Sequence, residues 1–305
     1  MRSVDNRKDI RDFLTSRRAR ITPQRAGLQV YGSKRRVVGL RREEVALMAG
    51  VSVDYYTRLE RGNLSGVSES VLDAVSRALQ LDDAERDHLF DLARTSEVAP
   101  RARRRAAPAS VRPSVQRVLD AMTGAPAWVH NDRLDFLAAN RLGYALYSEL
   151  FNDPVRPVNS ARFMFLNPRS RDFYPNWGHI AENTVAILRG AAGRNPYDEK
   201  LSNLIGELST RSDDFRTRWA AHNVRLHRTG VKQLHHPVVG RLDLTYEALE
   251  LPADPGLTMF SYTAEPGTPS EDGLKLLASW AATQDVTDEA SKAGDVPVQM
   301  RHNTD

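Results

Sequence analysis

Apolar residues recur at intervals of three and four through the first hundred positions, the spacing of amphipathic helices. Ile10, Phe13 and Leu14 share one face of a helix expected over 7–20, which Thr22-Pro23 ends because proline breaks the amide ladder. A basic loop is expected over 22–39. Ser68 is placed to cap a helix carrying Val71, Leu72, Val75, Ala78 and Leu79 on one face. Asp82 with Glu85 has the spacing of a capping box and opens a helix that buries Leu89, Phe90, Leu92 and Ala93. Residues 1–97 therefore read as an all-α domain.

The pattern stops over 98–112, where Pro100, Arg101, Arg103, Arg104, Arg105 and Pro108 leave almost nothing to bury. This is a linker whose arginines either stay solvated or touch phosphates. Beyond it the period changes. A short helix over 114–123 carries Val115, Val118, Leu119 and Met122, and Ala127–His130, the turn Asn131-Asp132 and Leu134–Leu137 read as a hairpin. Helices are expected over 141–151, 178–193 and 199–222, the last broken near Ser209–Ser212. Leu242, Leu244 and Tyr246 alternate with polar residues as in a half-buried strand, and Leu249 with Leu251 resumes one register later, which asks for a bulge or kink. A strand over Leu257–Thr263 and a helix over Ser270–Trp280, packing Leu274, Leu276 and Leu277, complete an α+β domain over 113–284 with an antiparallel sheet. Residues 285–305 show no period and are expected to be disordered.

Charge sharpens this two-domain reading. Of the 43 Lys and Arg in the 305 residues, 13 fall in the first 42 positions against 3 Asp and Glu, whereas residues 106–305 hold 21 against 24. So local a basic region suits a polyanion, because each neutralised phosphate releases counterions; a merely solvated basic tail is the alternative. There are no cysteines, hence no disulfide, thiolate nucleophile or cysteine-ligated zinc. No window reaches the ~18 apolar residues that span a bilayer, and the N-terminus lacks a signal-peptide core, so a cytoplasmic protein without membrane partner is expected. His179, His222, His227, His235 and His236 show no metal-ligand spacing, and no phosphate loop, dinucleotide fingerprint or nucleophile elbow occurs. Neither an enzyme nor a cofactor is expected.

The run Leu40 to Gly62 carries the most specific chemistry. Val45, Ala46 and Ala49 give one helix a small-residue face against which a second can pack, and Gly50 supplies the positive φ of the tight turn between them. Val51 plugs the angle, Ser52 caps the second helix, and Gly62 ends it. Val53, Asp54, Thr57 and Arg58 then face outward while Tyr56 and Leu59 face in.

In spacing and residue class this run resembles the helix-turn-helix of Xre/Cro-type repressors. That resemblance implies DNA-contacting roles for Arg42, Ser52, Val53, Asp54, Tyr55, Thr57 and Arg58. Arg42 takes the place of a phosphate-contacting glutamine. Arg58 matches a guanine-reading position, Val53 one facing a thymine methyl, and Asp54 either accepts from cytosine or orients Arg58. Tyr55 and Thr57 are phosphate contacts or unpaired surface. Glu60 matches a scaffold position that pairs with an arginine of the first helix, here Arg18. The basic loop with Lys34-Arg35-Arg36 departs from simpler repressors and is expected to meet phosphate or the minor groove.

The tracts Ala127–Asn140, Leu204–Ser212, Phe215–Val224 and His236–Gly240 resemble the ligand-binding domain of MmyB-like actinobacterial regulators. This implies a PAS-like fold with a pocket for a small apolar molecule such as a fatty acid. Trp128, Phe136, Trp177 and Trp219 are its candidate lining, or simply core, and Asn140, His222 and Arg225 its candidate receivers of a carboxylate. Duplex operator DNA, a nucleoid-associated location and a homodimer follow from the same resemblance. The competing class is a small-molecule sensor or enzyme whose N-terminal helices mediate protein contact only.

Overall fold

A computed structural model of the chain describes residues 2–28, 37–97, 110–223 and 229–294. The N-terminal part is five helices: α1 (Arg2–Arg20), α2 (Arg42–Ala49), α3 (Val53–Glu60), α4 (Glu69–Ala78) and α5 (Asp83–Glu97). Ile10, Phe13, Leu14, Leu40, Val45, Tyr56, Leu59, Leu72 and Leu89 form one core, all buried as the helical spacing expects. Each such Leu or Phe contributes about 1.5–3 kcal/mol relative to exposure. The Ser68 cap on Val71 N–H is present, and so is the capping box, with Glu85 N–H on Asp82 at 2.8 Å and Asp82 N–H on Glu85 at 3.3 Å. Helix α1 begins five residues earlier than the spacing predicts. Lys34, Arg35 and Arg36 lie outside the described residues.

The second part opens with α6 (Pro113–Ala121), anchored where Arg112 forks onto the Asp254 carboxylate at 2.8 and 3.0 Å. It continues through β1 (Ala127–Asn131), β2 (Phe136–Ala139), α7 (Arg141–Leu146), α8 (Ser148–Phe151), α9 (Ser160–Leu166), α10 (Ser170–Phe173), α11 (Trp177–Arg194), α12 (Glu199–Arg211), α13 (Asp213–Ala220), β3 (Thr229–His236), β4 (Gly240–Glu250), β5 (Leu257–Thr263) and α14 (Pro269–Gly294). The strands form one antiparallel sheet in the order β2-β1-β5-β4-β3, the PAS-like α+β arrangement that the resemblance implies. Trp128, Phe260, Tyr262, Leu244, Leu242 and Leu234 face α7–α10 and α14 on one side, while α6 covers Val129, Ala138 and Met259 on the other.

Several expectations need correction. Strand β4 is continuous: Thr245 to Glu250 pair with Thr263 to Thr258 in unbroken register, so no bulge separates Tyr246 from Leu249. Leu249 simply points to the outer face, half exposed, and the register shift of the sheet falls between Val129 and His130. Val118 and Leu276 are exposed rather than packed. The final helix continues past Trp280 to Gly294, so ten residues of the segment expected to be disordered are helical. The expected helix over 199–222 does break, at Ser212, whose hydroxyl caps α13 by accepting from Phe215 N–H at 3.2 Å. Helices α9 and α10 and the edge strand β3 had no sequence expectation; β3 carries Lys232, Gln233, His235 and His236, too polar to read as a strand.

Candidate functional site

Gly50 takes the left-handed conformation at φ 65° between α2 and α3, and Ser52 caps α3 by accepting from Tyr55 N–H at 3.1 Å. Tyr56 and Leu59 point inward, and burial pushes the Tyr56 phenol up. Gly62 closes the helix at φ 91°, where a β-carbon would sit 2.3 Å from the Arg7 carbonyl oxygen. The end of α3 is thus pressed directly onto the backbone of α1.

Glu60 ties three helices together. Its carboxylate is 1% exposed; Oε1 accepts from Arg18 Nη2 at 2.7 Å, Arg18 Nε at 2.9 Å and Thr15 Oγ1 at 3.0 Å, while Oε2 accepts from Arg42 Nε. Arg18 also donates to the Leu40 carbonyl oxygen at 2.8 Å. The pairing of Glu60 with Arg18 is the one expected. That Arg42 joins it was not legible, because nothing in the spacing puts the first residue of α2 beside the last of α3. Arg42 remains half exposed.

On the outer face Val53, Asp54 and Arg58 are exposed and Tyr55 and Thr57 half-buried. The Arg58 guanidinium lies 4.7 Å from the Tyr55 ring centre, so Tyr55 is a shelf for Arg58. Of the alternatives open for Asp54, orientation of Arg58 finds no contact among the described residues; the orienting group is the neighbouring aromatic.

Of the seven residues expected around a ligand, the six that are described do not gather in one place. Trp128 stacks on Phe136 at 5.7 Å and on Phe260 at 5.7 Å inside the sheet core. Asn140 is consumed by backbone: its oxygen accepts from Ala127 and Gly143 N–H and its amide donates to Met122 and Ala125. Trp177 donates to the Met164 carbonyl oxygen at 3.2 Å and borders an open cleft of about 530 Å³ between Arg171 and Arg218. Trp219 and His222 stand elsewhere, at the contact between the two parts, and Arg225 lies outside the described residues.

That contact is made by α5 on α11 and by α1 on the end of α13. Arg17 of α1 is 2% exposed: its guanidinium lies 3.0 Å from Glu85 and donates to the His222 carbonyl oxygen. Arg189 of α11 donates to the Trp219 carbonyl oxygen, lies over the Trp219 ring at 4.0 Å and meets His222 Nδ1 at 3.0 Å. One arginine from each side thus caps the carbonyl end of α13, where the helix dipole is negative. His88 of α5 packs on Gly193, where a β-carbon would fall 2.7 Å from its ring, and Thr95 donates to the Gly193 carbonyl oxygen at 3.1 Å. Burial, with Arg189 and Arg17 nearby, lowers His88 to about 3 and His222 to about 4, and burial lowers Arg189 to about 10. Arg17 was missed because a single arginine within a basic helical run carries no sign of being buried, and Arg189 because the apolar run around it in α11 does not tell which distant helix end its guanidinium meets.

A capped helix pair with an exposed outer face, joined to a domain with its own sheet and core, is the architecture of a helix-turn-helix transcription regulator with a ligand-binding domain, and the chain matches the family models of both parts. The chain belongs to the MmyB-like regulators: the model of the MmyB-like transcription regulator ligand binding domain matches residues 111–277, more than half its length, and that of a helix-turn-helix domain matches residues 11–89. No curated protein matches it. Among the described residues no helix is long and apolar enough to cross a membrane, and no three His, Asp or Glu side chains gather as metal ligands do.

Proposed function

We propose that this regulator reads a specific duplex operator through α3, and that a small apolar ligand of fatty-acid type in the sheet domain controls the reading. The observation that carries the proposal is the division of α3: Tyr56, Leu59 and Glu60 are locked into the domain while Val53, Asp54, Thr57 and Arg58 stand outward. Arg58, held over the Tyr55 ring, reads the O6 and N7 edge of guanine; Val53 meets a thymine methyl and Asp54 a cytosine amine. Ser52, Tyr55, Thr57 and Arg42 bind phosphate, Arg42 with the N–H groups that Glu60 leaves free. One such helix reads few bases, so two copies act together on a two-fold site.

Ligand control needs two domain arrangements that bind ligand unequally. The buried contact of α13 with Arg17 supports such coupling, since the next residue, Arg18, holds Glu60 at the end of α3. Selection of binding sites from random duplexes, followed by titration of the selected site at several salt concentrations, tests the reading. Enrichment of a two-fold motif, lost in Arg58→Ala, is the expected result. Failure to enrich any motif would leave the N-terminal helices as a protein-contact module.

A further inference from the structure

The open cleft of about 530 Å³ is walled by Arg171 of α10, by Asp214 and Arg218 of α13, and by Pro175 to His179, where α11 starts. Trp177 lines it as a buried indole whose Nε1 is fixed by the Met164 carbonyl oxygen at 3.2 Å and Ser170 Oγ at 3.1 Å. Two guanidinium groups lie over this one ring, Arg171 at 4.0 Å and Arg218 at 5.2 Å from its centre. The ring narrows the arc over which either swings, so their donors are positioned before a ligand arrives.

Both arginines share a single carboxylate. Asp214 accepts from Arg171 Nη2 at 2.7 Å and from Arg218 Nη1 at 2.6 Å, and its main-chain oxygen accepts from the same Arg218 nitrogen at 3.1 Å. Arg171 Nε and Nη1 and Arg218 Nε and Nη2 meet no acceptor among the described residues. A third donor joins the two that define the cleft. The Asn176 side chain donates to Gln233 Oε1 at 2.6 Å in place of capping α11, whose first turn has no acidic residue, and no acceptor among the described residues meets the Gly178 N–H. Gly178 has open space where a side chain would stand, so the cleft reaches its backbone.

The geometry points to a phosphate site: Arg171, Arg218 and the Gly178 N–H receive the phosphate group of a small phosphorylated molecule. Three donor groups suit three terminal oxygens. Two guanidinium charges against the one Asp214 carboxylate leave a single positive charge, to which the start of α11 adds about half a charge. A phosphate monoester, at about 1.5 to 2 negative charges, meets that sum, whereas a carboxylate leaves part of it unmatched. This is a second site at the surface, apart from the sheet core, and it does not depend on the apolar ligand proposed above.

Titration calorimetry of the full chain with phenyl phosphate and with benzoate tests it. Wild type should bind the phosphate at least about tenfold more tightly than the carboxylate. The double variant Arg171→Gln/Arg218→Gln should bind both alike. Gly178→Asp sets a carboxylate where a β-carbon meets nothing within 4 Å. It should abolish binding of phenyl phosphate yet melt no lower than wild type, since an acid suits the first turn of a helix, and it keeps the test decisive should the double variant fold poorly. No binding by wild type, equal binding of benzoate, or an affinity untouched by Gly178→Asp overturns the site. Unrelated duplex is then added to the loaded protein. Displacement of phenyl phosphate assigns the phosphate to the DNA backbone and overturns the small-molecule ligand; undisturbed binding upholds it.

Discussion

Arg17, on the first helix of the DNA-binding domain, donates through its guanidinium to the main-chain carbonyl oxygen of His222, in the turn that ends α13 of the sensor domain. Its charge is held in place by Glu85, which also keeps Arg20 at 2.7 Å. Removing Arg17 therefore leaves Glu85 paired, and Arg17→Leu should fold. Operator affinity should persist in this variant, but the fatty acid dodecanoate should no longer change it. Gly193→Ala acts on the same contact from the other side, because its methyl group enters the His88 ring. Fluorescence anisotropy on labelled operator, with and without dodecanoate, reads both; an unaltered ligand response in both variants would dispose of this contact as the route of coupling.

The same contact should weaken in acid. His222 and His88 titrate at about 4 and about 3 in the folded chain because burial, with Arg189 and Arg17 close by, opposes their protonation, while the unfolded value is about 6.5. Below pH 6.5 the unfolded chain takes up protons that the folded chain refuses. Stability is therefore complete above that pH and falls until the folded values are reached, by at most about 1.4 kcal/mol per pH unit for each histidine. His222→Asn, tolerable at φ 53°, removes one of the two. Urea midpoints between pH 7 and 4 should fall less steeply for the variant than for wild type; parallel curves would refute the assignment.

Arg58 carries its guanidinium over the Tyr55 ring, 4.7 Å from its centre, so the side chain is held ready for a bidentate contact. Arg58→Ala should cost about 1–3 kcal/mol on the selected operator and little on unrelated duplex. Tyr55→Ala should lose part of the same discrimination without any base contact of its own, by freeing Arg58. Equal losses on specific and unrelated DNA would reassign Arg58 to phosphate.

Glu60 is buried with Arg18, Arg42 and Thr15 around it. Arg18→Ala strips its best-buried partner and should destabilise the chain by about 3 kcal/mol, the low end of the range for a broken buried pair because Arg42 stays. The double variant Arg18→Ala/Glu60→Gln should recover part of that loss in urea unfolding. No recovery would mean that Arg18 acts through packing, not charge.

The outward and inward faces of α3, its Ser52 cap and the Gly50 turn were legible along the chain, because each depends on neighbours within one or two turns; the pairing of Glu60 with Arg18, 42 residues apart, was expected only from the resemblance to repressors. So were the α+β character of the second part and most of its elements. Strand β3 was hidden because its inner face carries Lys232 and His236 where hydrophobicity marks a strand, and the continuous register of β4 because Leu249 is an outer-face leucine. What no local pattern could decide is which polar groups leave water. Arg17 and Arg42 look alike in a basic run, yet one is sealed against a helix end 205 residues away and the other is half exposed beside the outer face of α3. Arg171 and Arg218 look like any surface arginines until α10 and α13 bring both over the Trp177 ring. The sequence by itself determined the helical faces, the caps and the turn that present α3, all properties of short-range spacing. Only the tertiary structure decided where the two domains touch and which charges gather on one cleft, because desolvation and pairing depend on every element packed around a group.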